Sequence, residues 1–238
     1  LISGMGELHL EVLKDRLFRE FHVQANAGKP MVAYRESIRG AGAGEHVFER
    51  EIGGSTHFAG IALAVTAADR EAGNRILWQA SSDQVPHPMR PSVEEGIQDG
   101  LMTGVLGSYP LADVDVTVAG GAHRNDESSA VAFRSAAVMA LREAIRSATP
   151  VLLEPIMRLE IETPEEYMGE ILGDVSARRG RVMDMQARDD IHNLHAEVPL
   201  SELLGYASAL RSVSRGRAVY TMEPHQFEVV PETMQAEI

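Results

Sequence analysis

Glu162-Thr163-Pro164-Glu165-Glu166-Tyr167-Met168-Gly169-Glu170-Ile171-Leu172-Gly173-Asp174-Val175-Ser176-Ala177-Arg178-Arg179-Gly180-Arg181-Val182 decides the fold of the C-terminal part of the chain, because it occurs twice. The second copy runs from Glu197 to Ala218, with one inserted residue before Arg215-Gly216-Arg217, the counterpart of Arg179-Gly180-Arg181. Each copy reads strand, helix, strand. Thr163 and Glu166 stand at capping-box spacing, and Pro164 suits the first helical position. Gly180 and Gly216 suit the position after a helix, where a left-handed backbone is common. Tyr167, Ile171 and Val175 recur at helical spacing, as do Leu203, Ala207 and Leu210. Two such βαβ halves predict a split-βαβ, ferredoxin-like sandwich with strands near 155–162, 181–187, 193–198 and 217–223. The residues after Met222 carry Pro224 and Pro231 and read as a tail that docks elsewhere.

Toward the N-terminus, Thr149-Pro150 closes a helical run from Ala130 to Ala148 that no Gly or Pro interrupts. Before it, a strand at Asp113–Val118 leads into Gly120-Gly121-Ala122-His123-Arg124-Asn125-Asp126-Glu127-Ser128-Ser129. Glycines give this stretch conformational freedom, and Asp126, Ser128 and Ser129 are good N-cap types. A polar loop at a helix N-terminus offers free N–H groups and a favourable dipole to a phosphate. The stretch is therefore either a rigidly mounted probe for RNA or a solvated strand–helix connection. The theme recurs at Val85-Pro86-His87-Pro88-Met89-Arg90-Pro91, whose prolines exclude regular structure. Ser92 is the expected cap of a helix to about Met102, with Val93, Ile97 and Leu101 on one face. Two such loops on one face would make a locally basic tip of Gly120, Gly121, His123, Arg124 and Asn125 with His87 and Arg90.

Further upstream, Met31–Ile38, Val47–Ile52, Phe58–Thr66 and Arg75–Ala80 read as strands, with Gly53-Gly54 joining the middle pair. Gly40–Gly44 lacks the GK[ST] and following helix of a phosphate loop and reads as a flexible turn. Leu10, Leu13, Leu17 and Phe21 mark one helix face, followed by a short strand at Val23–Asn26 and a break at Gly28-Lys29-Pro30. That opening is half of a small sandwich, so its apolar face should be uncovered or covered by a neighbour. The fold class is α+β. A partial ferredoxin-like half (1–28) precedes a two-layer β-α domain (29–149) that receives the tail 224–238, and a ferredoxin-like split-βαβ domain (150–223) follows.

The chain has 238 residues, 44% of them hydrophobic and 24% charged, which is an ordinary globular composition. It contains no cysteine, which excludes disulfides and thiolate metal sites and fits a reducing compartment. A net charge of −13 argues against a general wrapper of nucleic acid but allows local basic tips. No apolar run approaches the roughly eighteen residues a membrane span needs. No nucleophile elbow or triad spacing is present. His192 and His195 fall on opposite faces of a predicted strand, His9 and Glu11 have no second His at helical spacing, and Asp189-Asp190 reads as a solvated turn. No catalytic, cofactor or metal site is expected. The chain opens at Leu1 rather than Met, and a fragment is expected.

Longer strings carry a resemblance. Ile2-Ser3-Gly4-Met5-Gly6-Glu7-Leu8-His9-Leu10-Glu11 and Gly28-Lys29-Pro30-Met31-Val32-Ala33-Tyr34-Arg35-Glu36-Ser37-Ile38 resemble the end of domain III and the start of domain IV of bacterial elongation factor G. Leu152-Leu153-Glu154-Pro155-Ile156-Met157, Glu162–Gly169 and His195–Ala207 resemble its domain V. The resemblance implies the C-terminal part of a cytoplasmic ribosomal translocase, expected to be monomeric, with GTP and Mg held only by a missing GTPase domain. Its partners would be rRNA, tRNA–mRNA at the decoding site, and the large-subunit stalk base. The family's tip loop commonly reads Gly-Ser-Tyr-His, then acidic residues and Ser-Ser. Gly120, His123, Asp126, Ser128 and Ser129 match, whereas Gly121 and Ala122 replace Ser and Tyr and one residue is extra. Where the family commonly has Gly-Gly-Arg-Gly-Gln-Tyr-Gly-His, Gly53–Gly60 keeps an aromatic only as Phe58. Arg178 and Arg179, at the end of the first domain V helix, are expected either to face ribosomal RNA or, equally, to complement the helix dipole at its C-terminus. A paralogue devoted to ribosome recycling or protection, and a free-standing RNA-binding module, remain alternatives.

Overall fold

The computed structural model describes residues 7–23, 31–188 and 190–235. Its elements in chain order are α1 (Glu7–Phe21), β1 (Arg35–Ile38), β2 (Ala41–Ile52), β3 (Ser55–Ala67), β4 (Arg75–Trp78), α2 (Arg90–Thr103), β5 (Val114–Ala122), α3 (Ala130–Ser147), β6 (Pro150–Pro164), α4 (Glu165–Ala177), β7 (Arg181–Arg188), β8 (Ile191–Pro199), α5 (Tyr206–Val213), β9 (Val219–Val229) and α6 (Glu232–Gln235). They fall into two units. One holds Tyr34–Leu153 and the described part of Val229–Ile238; the other holds Glu154–Glu228 and the described part of Leu1–Ala33.

In the first unit a sheet of order β2-β3-β5-β4 carries α2 and α3 on one face. Alternation does the sorting: Ile61, Leu63 and Val65 of β3 and Val114, Val116 and Val118 of β5 are buried toward the helices. The helices answer with Val93, Ile97 and Leu101 and with an alanine-rich stripe around Phe133, Leu141 and Ile145. Small residues let α3 lie close to the sheet. A Cβ at Gly44 would collide with the Ala140 carbonyl and stand 2.8 Å from the Glu143 Cβ. The stretch expected as a flexible turn at Gly40–Gly44 is therefore strand from Ala41 onward, and its glycines serve close approach rather than bending. Pro150–Leu153 pair with β1, and the Val230 N–H donates to the Leu152 carbonyl at 2.9 Å.

In the second unit the strand order β9-β6-β8-β7, with α4 and α5 as crossovers, is the expected ferredoxin-like arrangement. Leu159, Ile161, Leu194, Ala196 and Val198 of the sheet pack on Ile171 and Val175 of α4 and on Tyr206 and Leu210 of α5. Several local expectations shift. Pro164, not Thr163, is the N-cap of α4, and the Thr163 hydroxyl makes no capping bond. Left-handed backbone falls on Arg179 (φ 58°) rather than Gly180, which is small because a Cβ would lie 2.6 Å from Val175 Cγ1. In the second copy Tyr206 is buried and Ala207 exposed, because α5 begins only after a left-handed Gly205 (φ 74°). Strand β9 runs through Pro224 to Val229, where a tail was expected. Among the described residues it pairs with β6 alone, and an edge strand tolerates proline.

Of the face expected on α1, Leu10, Leu13 and Leu17 are half-buried and Phe21 is 68% exposed. The strand expected at Val23–Asn26 and the break at Gly28–Pro30 lie outside the described residues beyond Val23.

Candidate nucleic-acid interface

One end of the first unit's sheet is built from the β2–β3 hairpin, the end of β5 and the connection to α3. Gly53 (φ 64°) and Gly54 (φ 83°) form a two-residue turn in which both positions are left-handed, which favours glycine there. A turn of that length fixes the register and sets Glu49 opposite Phe58. The register of β5 against β3 shifts between Leu63↔Val118 and Ala62↔Gly120. The bulge re-aims the last residues of β5, as bulges beside sites commonly do.

Gly120 and Gly121 are thus strand residues paired with Ala62 and Ile61, not loop residues, and neither has a left-handed φ. Gly121 is small for another reason. A Cβ there would lie 2.6 Å from Val85 Cγ2 and 2.8 Å from the Gly60 carbonyl. The two segments expected to share a tip do meet, and they meet through Val85 and Gly121.

The loop proper is His123–Ser129. Ser129 caps α3 by accepting the Ala132 N–H at 3.3 Å, and its hydroxyl lies 2.7 Å from His57 Nδ1. The Ser128 hydroxyl accepts the Arg124 N–H at 2.9 Å, and the Glu127 carbonyl accepts the Phe58 N–H at 2.8 Å. Asp126 takes the left-handed angle of the loop (φ 68°). Asn125 and Asp126 are exposed, and His123 is half-buried.

Arg124 is exposed, but its guanidinium lies along the protein surface. Its guanidinium carbon lies 3.8 Å from the centre of the Phe58 ring. Its Nη1 donates to Glu49 at 2.6 Å and to Glu127 at 3.1 Å, and its Nη2 donates to Glu49 at 3.3 Å. The hydrogen bond to Glu49, then that to Glu127, raises the Arg124 pKa above its ordinary value, so the charge is fixed and answered by two carboxylates. Arg90 is held similarly, 4.7 Å from the centre of the Trp78 ring and 3.5 Å from the Ala80 carbonyl. Arg90 also opens α2, two residues before the cap expected at Ser92, since Pro91 suits a first helical turn. His87, in a 3-10 turn, is exposed. The tip is therefore not a free basic patch. Its two arginines are stacked on different aromatic rings.

Glu49 was missed in the sequence. The signal was present: a two-residue turn at Gly53-Gly54 places residue 49 beside residue 58 by counting.

In the second unit Arg178 donates to Asp174 at 2.9 Å and to the Glu202 carbonyl at 2.6 Å, with its guanidinium carbon 5.1 Å from the centre of the Tyr206 ring. Arg179 holds Glu154 with two bonds of 2.8 and 2.7 Å and Glu202 at 3.0 Å.

Comparison with known proteins identifies the setting of this tip. Residues 30–149 match the family model for elongation factor G, domain IV; 151–238 match the elongation factor G C-terminus, and 1–29 match elongation factor G domain III. The chain belongs to the elongation factor G family. Elongation factor G of Chlamydia caviae is 42% identical over the whole chain, and elongation factor G 2 of Syntrophomonas wolfei subsp. wolfei is 44% identical. The chain spans 34% of the length of each. A crystal structure from Thermus thermophilus superposes with a TM-score of 0.82 at 33% identity, covering 98% of this chain and 35% of that one. Within the elongation factor G family, the first unit described above carries the segment matched to domain IV, so the Arg124–Phe58 tip belongs to that domain.

Proposed function

We propose that this chain is the ribosome-binding arm of a translational GTPase that promotes movement of tRNA and mRNA during protein synthesis, with the tip beside Gly53-Gly54 and His123–Ser129 reaching the decoding region. Family membership supports the parent activity. The observation that carries the arm's role is mechanical: the exposed Asn125 and Asp126 are mounted on a loop that Ser128 closes on the Arg124 N–H and that is bonded at its C-terminal end to β3, through Glu127 and Phe58, and to α3, through Ser129. A loop held this way transmits force and position, which a step of substrate movement requires. In this reading GTP and its magnesium belong to a GTPase domain outside this chain, the arm works as a monomer in the cytoplasm, and the second unit serves the large subunit near the stalk base.

The test is single-turnover tRNA–mRNA movement by the full-length protein with residues 123–128 replaced by a Gly-Ser linker. Movement slowed roughly tenfold or more, with GTP hydrolysis retained, is expected. Unchanged movement contradicts the reading. Loss only of subunit splitting with a recycling factor would assign the arm to recycling instead.

A further inference from the structure

We propose that Arg124 is a positioning residue that locks the tip loop to the β2–β3 hairpin, and that it is not itself a phosphate ligand. The inference rests on the reading of the tip given above and goes beyond it in assigning the loop's one prominent cation. Arg124 joins three segments at once. Its side chain reaches Glu49 on β2, lies against the Phe58 ring on β3, and returns to Glu127 in its own loop. Its backbone N–H is held by Ser128. Each partner is fixed by something else: Glu49 and Phe58 by the strand register, Glu127 through its carbonyl bond to Phe58.

A phosphate ligand needs donors free to turn toward solvent. Here three of the five guanidinium N–H groups are directed at carboxylates, and Phe58, only 7% exposed, lies against the guanidinium, although the side chain is 46% exposed. Glu49 and Glu127 both contact the Arg124 guanidinium, so a phosphate approaching Arg124 would also approach carboxylates. The planar fork serves the lock. It stacks on a ring and spans two oxygens of one carboxylate, which a lysine ammonium cannot do together. What Arg124 controls is the place of Asn125 and Asp126, the exposed residues that follow it.

The test uses the full-length protein and reads two quantities, the single-turnover rate of tRNA–mRNA movement at saturating protein and the salt dependence of ribosome binding. Arg124→Ala, Arg124→Lys and Glu49→Gln are each expected to slow movement about threefold to tenfold. The salt slope of binding should stay unchanged in Arg124→Ala, whereas loss of a phosphate contact lowers it by about one. Arg124→Ala combined with Phe58→Leu should be no slower than the worse single variant, since both break one contact set. A slope lowered by about one in Arg124→Ala, with full rescue by Arg124→Lys, overturns the proposal. So does an unchanged rate in Arg124→Ala when the Gly-Ser loop replacement slows movement. If the loop replacement itself has no effect, the functional reading and this inference fall together.

Discussion

The buried carboxylate of Glu36 accepts the backbone N–H of Val105 at 2.6 Å, tying β1 to the connection between α2 and β5. Three more N–H groups converge on it, from Leu106 at 3.0 Å, Gly107 at 3.0 Å and Tyr109 at 3.2 Å. Glu36 is 0% exposed, so its carboxylate has no water to fall back on. Glu36→Gln keeps the volume but turns an N–H₂ group toward donors. It should cost about 2–4 kcal/mol, read by urea denaturation, and Glu36→Ala should cost more. Equal stability of Glu36→Gln and the parent would mean that the converging donors contribute little.

A second anchor lies in the ferredoxin-like unit. Arg179 grips the nearly buried Glu154 with two hydrogen bonds, and that contact raises the arginine's pKa above its ordinary value. Removing Arg179 leaves a buried carboxylate without its partner. Arg179→Ala should lose about 3–5 kcal/mol of stability. Conditions that restore folding should restore ribosome affinity as well. Reduced affinity in a fully folded Arg179→Ala protein would return this residue to the role of an RNA contact.

Tyr206 gives the chain an alkaline weakness. Burial first, then the Asp174 carboxylate, push its phenol above the ordinary value of 10.0. Above pH 10 the unfolded chain releases this proton while the folded chain keeps it, so the contribution is complete below pH 10 and is lost as pH rises. The hydroxyl is buried and finds no hydrogen-bond partner among the described residues. Tyr206→Phe should therefore move the alkaline unfolding midpoint upward. At neutral pH it should be neutral or stabilising by about 1 kcal/mol. A lowered neutral-pH stability would show that the hydroxyl does have a partner.

Gly121 tests the contact between the two loop systems. A methyl group there would lie 2.6 Å from Val85 Cγ2, and the Gly60 carbonyl blocks escape at 2.8 Å. Gly121→Ala should destabilise by about 1–3 kcal/mol in thermal unfolding, as overpacking of an ordered site does. A paired Val85→Ala should recover part of that loss. If it does not, the Gly60 carbonyl is the dominant clash.

These residues show where local pattern stops being informative. The repeat of Glu162–Val182 in Glu197–Ala218 identifies the ferredoxin-like unit because hydrophobic spacing is a local quantity. The position of left-handed backbone is less local. Gly180 is excluded from carrying an added Cβ by Val175 and by Val198 of another strand, and the left-handed angle passes to Arg179. Gly42 and Gly44 read as a turn until α3, distant in sequence, is seen to pack against them. The tip follows the same rule. Its Ser129 cap follows from local sequence chemistry, whereas Gly120 and Gly121 are strand residues and the contact of Gly121 with Val85 is a matter of packing. That the Arg124 side chain folds back along the surface depends on Glu49, a partner visible only once strand register is counted.

The most direct measurement of the central claim is site-specific crosslinking from the tip. The chain has no cysteine, so Asn125→Cys places a single thiol on it at the exposed loop position for a photoreactive probe. Glu170→Cys on α4 provides a control on the other unit. With the full-length protein bound to ribosomes carrying tRNA and mRNA, the probe at 125 is predicted to crosslink to decoding-region RNA, mRNA or tRNA, and the probe at 170 is not. Binding without any such crosslink from position 125, or the same crosslinks from both positions, would contradict the account.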